Sequence, residues 1–178
     1  EIPGDSARGK TFLSIVAGAR IEAFSRLLAG GGRVVRTMPN TPAQVGMGST
    51  GIYFPPGVDE TTRERVRTLF ASFGVVAEVP REELLDVVTA LSGSGPAYAF
   101  LFLGALADGA VRAGMGRTEA YLLAAATLEG AGRMARETGR HPAELKDMVM
   151  SPGGTTAAGV AALERGAFRA TVMDAVLS

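Results

Sequence analysis

The pattern of apolar residues changes near residue 80, and this change constrains the fold more than any other feature of the chain. Before Pro80, short apolar runs with strand character alternate with helical segments. After Pro80, every segment has a helical period. Strands that alternate with helices indicate an α/β sheet, here too small to be a complete doubly wound domain. We therefore predict an α/β portion over residues 1–80 and an all-α portion over residues 81–178.

Glycine and proline residues mark the expected ends of the elements. Strands are predicted at residues 11–17, 33–38, 49–54 and 75–79. Helices are predicted at residues 20–28 and 59–73, and then at 82–91, 96–113, 118–138, 142–150, 155–165 and 167–177. Asp59 and Thr118 are expected to cap their helices, and residues 92–95 are expected to form a turn between two helices.

Two of the predicted helices lack a polar face. Residues 97–107 and 121–128 are apolar on all sides and rich in alanine, so a surface helix of a monomer does not fit them. Small residues let such helices approach each other closely, and a second chain would supply the missing partners. The alternative is a compact monomeric bundle that buries both helices.

Composition excludes several classes of function. The 178 residues are 47% hydrophobic and carry 18 acidic and 18 basic residues, which argues against nucleic acid or an anionic membrane as the main partner. The apolar run 97–107 ends at Asp108, short of the ~20 residues of a membrane span. A soluble globular protein is therefore expected.

Cysteine is absent, and His141 is the only histidine. Disulfides, thiolate chemistry and cysteine-ligated metals are thereby excluded, and a reducing cytoplasm is the expected compartment. A catalytic triad or histidine metal site is not expected, since Pro142 after His141 indicates a helix start. The chain opens on Glu1 without a signal sequence, and we interpret it as a fragment or a processed chain.

The run Ser-Pro-Gly-Gly-Thr-Thr at residues 151–156 predicts an anion site built from backbone. Its glycines free the turn to adopt positive φ, and its hydroxyls lie where the next helix exposes unpaired N–H groups and the positive end of its dipole. A carboxylate or a phosphate fits such a site. The alternative is a turn and helix N-cap with no ligand.

Two loops follow predicted strands, where ligands of open α/β sheets bind. One is Met38-Pro39-Asn40-Thr41-Pro42, and the other contains the small residues Ala17 and Gly18. The first could line a nucleotide crevice or be a rigid turn whose asparagine satisfies its own backbone. No complete dinucleotide fingerprint is present, because the three glycines from Gly30 precede a strand, so a pyrophosphate site would lie outside this chain.

Acidic residues are interpreted as structural. Asp59-Glu60 and Glu82-Glu83 lie at expected helix starts, where they complement the helix dipole. Asp108 is expected to be buried and paired with Arg112, one turn along the same helix.

Six runs, taken in order and spacing from about residue 10 to the end, closely resemble the pyrroline-5-carboxylate reductase family. They are Ile-Val-Ala-Gly at 15–18, Val-Arg-Thr-Met-Pro-Asn-Thr-Pro at 35–42, Ala-Leu-Ser-Gly-Ser-Gly-Pro-Ala-Tyr at 90–98, His-Pro-Ala-Glu-Leu-Lys-Asp at 141–147, Ser-Pro-Gly-Gly-Thr-Thr-Ala at 151–157 and Gly-Ala-Phe-Arg at 166–169. Any one run could arise by chance, but six in register make accident very improbable.

The resemblance implies reduction of 1-pyrroline-5-carboxylate to L-proline with NADPH or NADH, the last step of proline biosynthesis. It implies the C-terminal part of a Rossmann domain over residues 1–80 and a helical dimerisation and substrate-binding domain over 81–178. Two subunits would interlock as a homodimer, within a possible ring of dimers, in the cytoplasm.

The same resemblance assigns roles to individual residues and implies no metal ligand. Thr156 would be catalytic, with its hydroxyl placed to hydrogen-bond the ring nitrogen of the substrate. The substrate carboxylate would lie in the loop formed by Ser151, Gly153, Gly154, Thr155 and Thr156. The nicotinamide half of the cofactor would lie along Ala17, Gly18, Met38, Pro39, Asn40 and Thr41.

One departure from the family and two alternatives remain. The family's opening βαβ units, which carry the glycine fingerprint, have no counterpart here, so this chain alone is expected to dimerise, bind a dinucleotide poorly and lack activity. A related imine or hydroxyacid reductase is one alternative, with Lys146 as the available acid or base. A non-catalytic oligomerisation module is the other.

Overall fold

The computed structural model describes residues 4–28 and 31–178, with side chains from Ser6 onward. It divides into two compact units, Glu1–Pro96 and Ala97–Ser178, and each is described here by itself. Gly30, the first of the three glycines noted in the sequence, lies outside the described residues. A small α/β sheet followed by helices is the predicted fold class, and it is confirmed.

The described elements of the first unit alternate between helix and strand as far as residue 78. They are α1 Gly4–Ala7, β1 Thr11–Ser14, α2 Ile21–Leu27, β2 Arg33–Met38, a 3₁₀ helix Thr41–Val45, β3 Gly48–Tyr53, α3 Glu60–Ala71, β4 Gly74–Glu78 and α4 Leu84–Val88, followed by a π-helical turn at Thr89–Gly93. β1 ends three residues earlier than predicted. The Ser14 hydroxyl accepts a hydrogen bond from the Val16 N–H at 3.3 Å, which turns the chain away from the sheet.

The four strands form one mixed sheet in the order β1-β2-β3-β4. β1 pairs with β2 and β3 pairs with β4 in parallel, whereas β2 and β3 are antiparallel. The connection from β2 to β3, residues 39–47, contains only the 3₁₀ helix. Because a parallel crossover needs about a dozen residues or more, this short connection makes the middle pair antiparallel.

One face of the sheet packs against α3. Its buried core joins three residues of the sheet region with two of the helix, and they are Val35, Ile52, Phe54, Val66 and Phe70. Four apolar residues in and just after this helix have helical spacing in the sequence. Val66 and Phe70 are buried and Phe73 packs against them, but Leu69 is 50% exposed, so the buried face is narrower than the spacing predicts. Burial of these apolar side chains is the main force that holds the helix on the sheet.

The opposite face of the sheet packs against α2 and α4. A cluster of Ala7, Leu28 and Val34 lies beneath α2. α4 lies so close to β3 that a Cβ on Gly51 would come within 2.7 Å of a Val88 methyl group. The absence of a side chain at Gly51 is therefore what allows α4 to approach the strand.

The second unit is all helical, as predicted. Its described elements are α5 Gly95–Arg112, whose first two residues belong to the first unit, α6 Arg117–Thr138, α7 Pro142–Val149, α8 Thr155–Arg165 and α9 Phe168–Leu177. Ala107, Ala120 and Ala124 form a small buried cluster between α5 and α6. α5 also contacts α9, since the Tyr98 hydroxyl donates a hydrogen bond to the Ala175 carbonyl at 3.0 Å.

The chain leaves much of α5 and α6 uncovered. Leu101 is 78% exposed, and Leu122 is 68% exposed. The sequence predicted helices without a polar face, and the described residues supply no cover for these side chains. A monomeric bundle that buries both helices is therefore not what the described part of the chain forms.

A turn was expected at residues 92–95, but the helix continues through them. In the π-helical turn the Ser94 N–H donates to the Thr89 carbonyl at 2.8 Å, and the hydroxyls of Thr89 and Ser92 donate to carbonyls one turn back. The wider turn contains Ser92 and Gly93, and after a bend at Ser94 the α-helix resumes at Gly95. The prediction of a stop is therefore wrong.

This continuity also changes the length of the apolar helix. In the described residues, one helical run of 29 residues, Leu84–Arg112, is long and apolar enough to cross a membrane by length and composition, since it contains an 18-residue stretch with a mean hydropathy of 1.4. The sequence had indicated a shorter apolar run. Length and hydropathy are weak evidence, because a helix that packs against a partner chain can share both.

Local predictions at the helix ends had mixed outcomes. His141 caps α7, where its Nδ1 accepts a hydrogen bond from the Ala143 N–H at 3.2 Å, as expected. Gly116, and not Thr118, is the N-cap of α6, because Thr118 lies within the helix. Asp108 is exposed and pairs with Arg117 instead of Arg112, since the turn before α6 brings Arg117 back beside it.

The N-cap residues of α3 and α9 differ in how they begin their helices. Asp59 caps α3 as predicted, because its carboxylate accepts hydrogen bonds from the Thr62 N–H and hydroxyl, both at 2.9 Å. Ala167, the N-cap of α9, has a φ of +53°. Among the described residues it is the one non-glycine residue with positive φ, a conformation that costs an L-residue energy.

We predict that Asp59→Ala lowers the Tm at neutral pH and that the difference from the unmodified chain disappears in acid. The hydrogen bonds from Thr62, and then the Arg33 charge, hold the pKa of Asp59 below its ordinary value of 3.8. A lowered folded-state pKa gives stability that is complete above the unfolded value and is lost as the pH falls through the folded value. Thermal unfolding from pH 7 to pH 2 measures this. Asp59→Asn, which keeps an acceptor without a charge, should show little of the pH dependence; an Asp59→Ala deficit that persists unchanged in acid would contradict the prediction.

We predict that Ala167→Gly stabilises the helical unit by about 0.5–1 kcal/mol. Glycine removes a left-handed penalty of roughly 1–2 kcal/mol and adds roughly 0.5–1 kcal/mol of backbone entropy cost. Urea unfolding at one protein concentration measures the change. The matched control is Ala170→Gly inside α9, which should destabilise by about the same amount; equal losses in both variants would show that Ala167 carries no strain.

Candidate functional site

The loop before α8 has the geometry of an anion site. Gly153 has a φ of +69°, and Gly154 has an extended backbone and is the N-cap of α8. The Gly154 N–H closes the turn by donating to the Ser151 carbonyl at 3.0 Å. A Cβ on Gly154 would require the Ser151 hydroxyl to rotate away and would lie 3.2 Å from the Ser151 carbonyl oxygen, so the loop requires glycine chiefly at Gly153, where φ is positive.

The start of α8 has N–H groups available for a ligand. Ala158 is the first residue of the helix whose N–H bonds back, to the Gly154 carbonyl at 3.4 Å, so the earlier N–H groups of α8 lack helical partners. The first turn contains no acidic residue that would occupy this positive end. Within the described residues, the hydroxyls of Thr155 and Thr156 make no hydrogen bond. A carboxylate could accept from these N–H groups.

The predicted cofactor residues lie at one edge of the sheet in the first unit. β1 and β2 are parallel, so Ala17 and Gly18, which follow β1, lie at the same edge of the sheet as Met38, the last residue of β2. The Thr37 hydroxyl ties the two strand ends by donating to the Ser14 carbonyl at 3.1 Å. Gly18 has a φ of +73° and open space around its Cα, so a flat group can approach the backbone there.

Asn40 uses both ends of its side-chain amide within the first unit. Its Oδ1 accepts from the Ser49 N–H at 2.8 Å, and its Nδ2 donates to the Ser92 carbonyl at 2.9 Å. The asparagine thus fixes the loop against β3 and the π-helical turn. Pro39 and the exposed Thr41 are the parts of this loop that remain open to a ligand.

A buried ion pair lies behind these loops, and sequence reasoning missed it. Arg36 on β2 donates to Glu82 Oε1 at 3.1 Å, and the Ile21 N–H donates to the same oxygen at 2.7 Å. Glu82 therefore caps α2 and not the helix that it precedes, contrary to the prediction. A signal existed, because an arginine inside an apolar strand needs a buried partner.

The neighbouring Glu83 behaves differently. Its own backbone N–H, and then Arg20, hold the pKa of this carboxyl below its usual range. Arg20 donates to Glu83 at 3.2 Å, with both side chains largely exposed. This exposed pair contributes little to stability compared with the buried one.

Comparison with known proteins identifies the family. The family profile described as "Pyrroline-5-carboxylate reductase dimerisation" matches residues 82–178. The pyrroline-5-carboxylate reductase of Arabidopsis thaliana is 44% identical over 178 residues, which cover 100% of this chain and 64% of the relative. This chain belongs to the pyrroline-5-carboxylate reductase family.

Further members of the family agree in sequence and structure. The pyrroline-5-carboxylate reductase of Methanosarcina acetivorans is 48% identical over 94% of this chain and 62% of its own length. A solved pyrroline-5-carboxylate reductase from Coxiella burnetii superposes with a TM-score of 0.93 at 35% identity, over 98% of this chain and 65% of that one. A Plasmodium falciparum pyrroline carboxylate reductase, solved with NADP bound, gives a TM-score of 0.84 at 36% identity, over 94% and 67%. The chain thus spans somewhat less than two thirds of the curated relatives.

The two groups of predicted site residues lie in different units. Ala17, Gly18 and the loop from Met38 to Thr41 belong to Glu1–Pro96, and the loop from Ser151 to Thr156 belongs to Ala97–Ser178. The roles assigned to both groups stay predictions. In the described part of the chain, no group of three or more His, Cys, Asp or Glu side chains is arranged to hold a metal ion.

We predict that Asn40→Ala lowers the free energy of unfolding by roughly 1–3 kcal/mol, because it leaves the Ser49 N–H and the Ser92 carbonyl without their partner. Urea unfolding measures this loss. Gln44→Ala, an exposed change in the neighbouring 3₁₀ helix, is the control and should stay within about 0.5 kcal/mol of the unmodified chain. Equal unfolding midpoints for the two variants would mean that the Asn40 bridge does not stabilise the loop.

Proposed function

We propose that this chain supplies the substrate loop and part of the cofactor-binding domain of a reductase that converts 1-pyrroline-5-carboxylate to L-proline with NADPH or NADH. The observation that carries the proposal is the start of α8, where free N–H groups and a free threonine hydroxyl lie together. Family membership makes this the expected chemistry, and the Plasmodium falciparum relative was solved with NADP. The site residues named from the sequence keep their proposed roles.

The substrate would be held at two points. The N–H groups at the start of α8 would bind the substrate carboxylate. The hydroxyl of Thr156, the second residue of α8, would donate a hydrogen bond to the imine nitrogen. When bound, the nicotinamide supplies hydride to the imine carbon. The loop and Thr156 would orient that carbon and stabilise the nitrogen, which would take a proton from water as hydride reaches the carbon and so become the amine of proline.

The strand-end loops of the first unit fit the nicotinamide half of the cofactor. Ala17 and Gly18 are small, and the Gly18 backbone is open to close approach. The loop from Met38 to Thr41 is fixed in shape by Asn40, so it needs little ordering when a ligand binds. The pyrophosphate would be bound by residues outside this chain.

The assembly and compartment are part of the same proposal. Residues 1–80 would be the end of the dinucleotide-binding domain, and residues 81–178 would be the domain for dimerisation and substrate binding. The exposed apolar side chains of α5 and α6, such as Leu101 and Leu122, favour a homodimer, alone or in a ring of dimers. A cytoplasmic enzyme with no membrane partner is proposed.

A non-catalytic oligomerisation module is the second candidate, and the same exposed side chains favour it. It differs in one measurable property, because a module has no need of an anion site before α8. Calorimetric titration of this chain with proline should show saturable binding if the reductase proposal is correct. No saturation at any proline concentration would favour the module.

We predict that Thr156→Ala lowers kcat/KM for pyrroline-5-carboxylate by the equivalent of one hydrogen bond to a charged group, roughly 1.5–3 kcal/mol or about 10- to 150-fold. The assay uses this chain joined to the part of the Escherichia coli relative that lies outside the matched region. Proline binding to the 178-residue chain should weaken in the same variant.

The matched control is Thr118→Ala. Thr118 is also the second residue of a helix whose N-cap is a glycine, and it is exposed. Its kcat/KM should stay within about twofold of the unmodified protein. If Thr156→Ala and Thr118→Ala have the same kinetics, Thr156 has no part in the reaction.

A further inference from the structure

We propose that Glu82 is a positioning residue that fixes the two loops assigned to the nicotinamide half of the cofactor, residues 15–20 and 39–41. This inference rests on the proposed function. Glu82 would contact no cofactor atom and would act through Ile21 and Arg36. It lies in the first unit, as do both loops, so the argument needs no contact between the units.

A single carboxylate oxygen joins the start of α2 to the middle of the sheet. Glu82 Oε1 accepts from the Ile21 N–H at 2.7 Å and from the Arg36 guanidinium at 3.1 Å. The side chain of Arg36 is 5% exposed and that of Glu82 is 18% exposed. Both bonds are therefore largely screened from water, which strengthens them and makes the loss of either partner costly.

The bond to Ile21 fixes the exit of the first loop. Arg20, the N-cap residue of α2, makes no side-chain cap, so the acceptor for the helix start comes from Glu82, 61 residues away in sequence. The entry of the same loop is fixed by β1 and by the turn at Ser14. Residues 15–20, which include Ala17 and Gly18, are thus tied at both ends.

The bond to Arg36 acts on the second loop. Arg36 lies on β2 two residues before Met38, and its guanidinium is the buried group that Glu82 neutralises. The far end of this loop is tied by Asn40 to the Ser92 carbonyl. The segment from Glu82 to Ser92 therefore anchors both loops. Glu82 does so through bonds that are largely screened from water, whereas Glu83 reaches the first loop only through the exposed side chain of Arg20.

The test separates the role of the α2 cap from the cost of a buried, unpaired charge. Two double variants remove the charges together, Arg36→Met/Glu82→Gln and Arg36→Met/Glu82→Leu. The side chains of glutamine and leucine at position 82 are similar in size, but only glutamine keeps an acceptor for the Ile21 N–H. Both should fold, since an ion pair that is replaced as a pair leaves no charge unpaired.

A control variant changes an ion pair on the other face of the sheet. Glu78 pairs with Arg67 and Arg63 of α3, and Glu78→Gln removes a charge that contacts neither loop in the described structure. It should lower the Tm and leave the dinucleotide affinity unchanged. The proteins are again this chain joined to the remaining segment of the Escherichia coli relative.

Three quantities are measured for each protein: the Kd of NADP⁺, the Kd of proline, and hydrogen exchange of the peptide that contains Ile21. The leucine double variant should bind NADP⁺ at least about fivefold more weakly than the glutamine double variant, with faster exchange at Ile21 and a proline Kd within about twofold. Equal NADP⁺ affinities in the two double variants would overturn the positioning role. A parallel loss of proline affinity would also overturn it, because the effect would then be general.

The unmodified protein separates this inference from the proposed function. If it binds NADP⁺ and the double variants do not differ, the inference fails and the proposed function stands. If it binds no dinucleotide at all, the proposed function fails, and the inference fails with it.

Discussion

The burial of the Arg36 guanidinium within an apolar sheet is the constraint on which the first unit depends. A charge that is removed from water must meet an opposite charge, and the chain supplies it from Glu82, just after the last strand. The segment after β4 must therefore return to the face of the sheet that α2 covers. α4 then packs on that face, and the loops at the edge of the sheet take their places beside it.

Much of the fold could be predicted because the sequence marks it locally. Proline and glycine end the strands, and β2 accordingly has the same bounds in prediction and structure. The apolar period of α3 likewise indicates which face of that helix is buried. The turn before α8 was predictable for the same reason, since two successive glycines favour a tight turn and a helix start, and Gly153 has positive φ while Gly154 is the N-cap. What failed depends on residues far apart in sequence or on competition between signals.

Glu82 and Asn40 show which contacts could not be predicted from the sequence. The carboxylate of Glu82 bonds to groups 61 and 46 residues earlier in the chain, and Asn40 bonds to Ser92, 52 residues later, as well as to the nearby Ser49. Nothing in a linear pattern indicates that a carboxylate will cap a helix 61 residues earlier. The π-helical turn is a different case, because the glycines at residues 93 and 95 favour a stop while the hydroxyls of Thr89 and Ser92 supply the bonds that let the helix continue. Asp108 pairs with Arg117 because the turn between α5 and α6, and not the period of one helix, brings the two side chains together.

The close approach of α4 to β3 has a consequence for how the sequence can drift. Gly51 and Val88 share one small volume, since a Cβ on the first would lie 2.7 Å from a methyl group of the second. A larger residue at position 51 is compatible with this fold only if position 88 becomes smaller at the same time. The two positions, one in a strand and one in a helix, should therefore covary among relatives as a single coupled unit, although neither contacts a ligand.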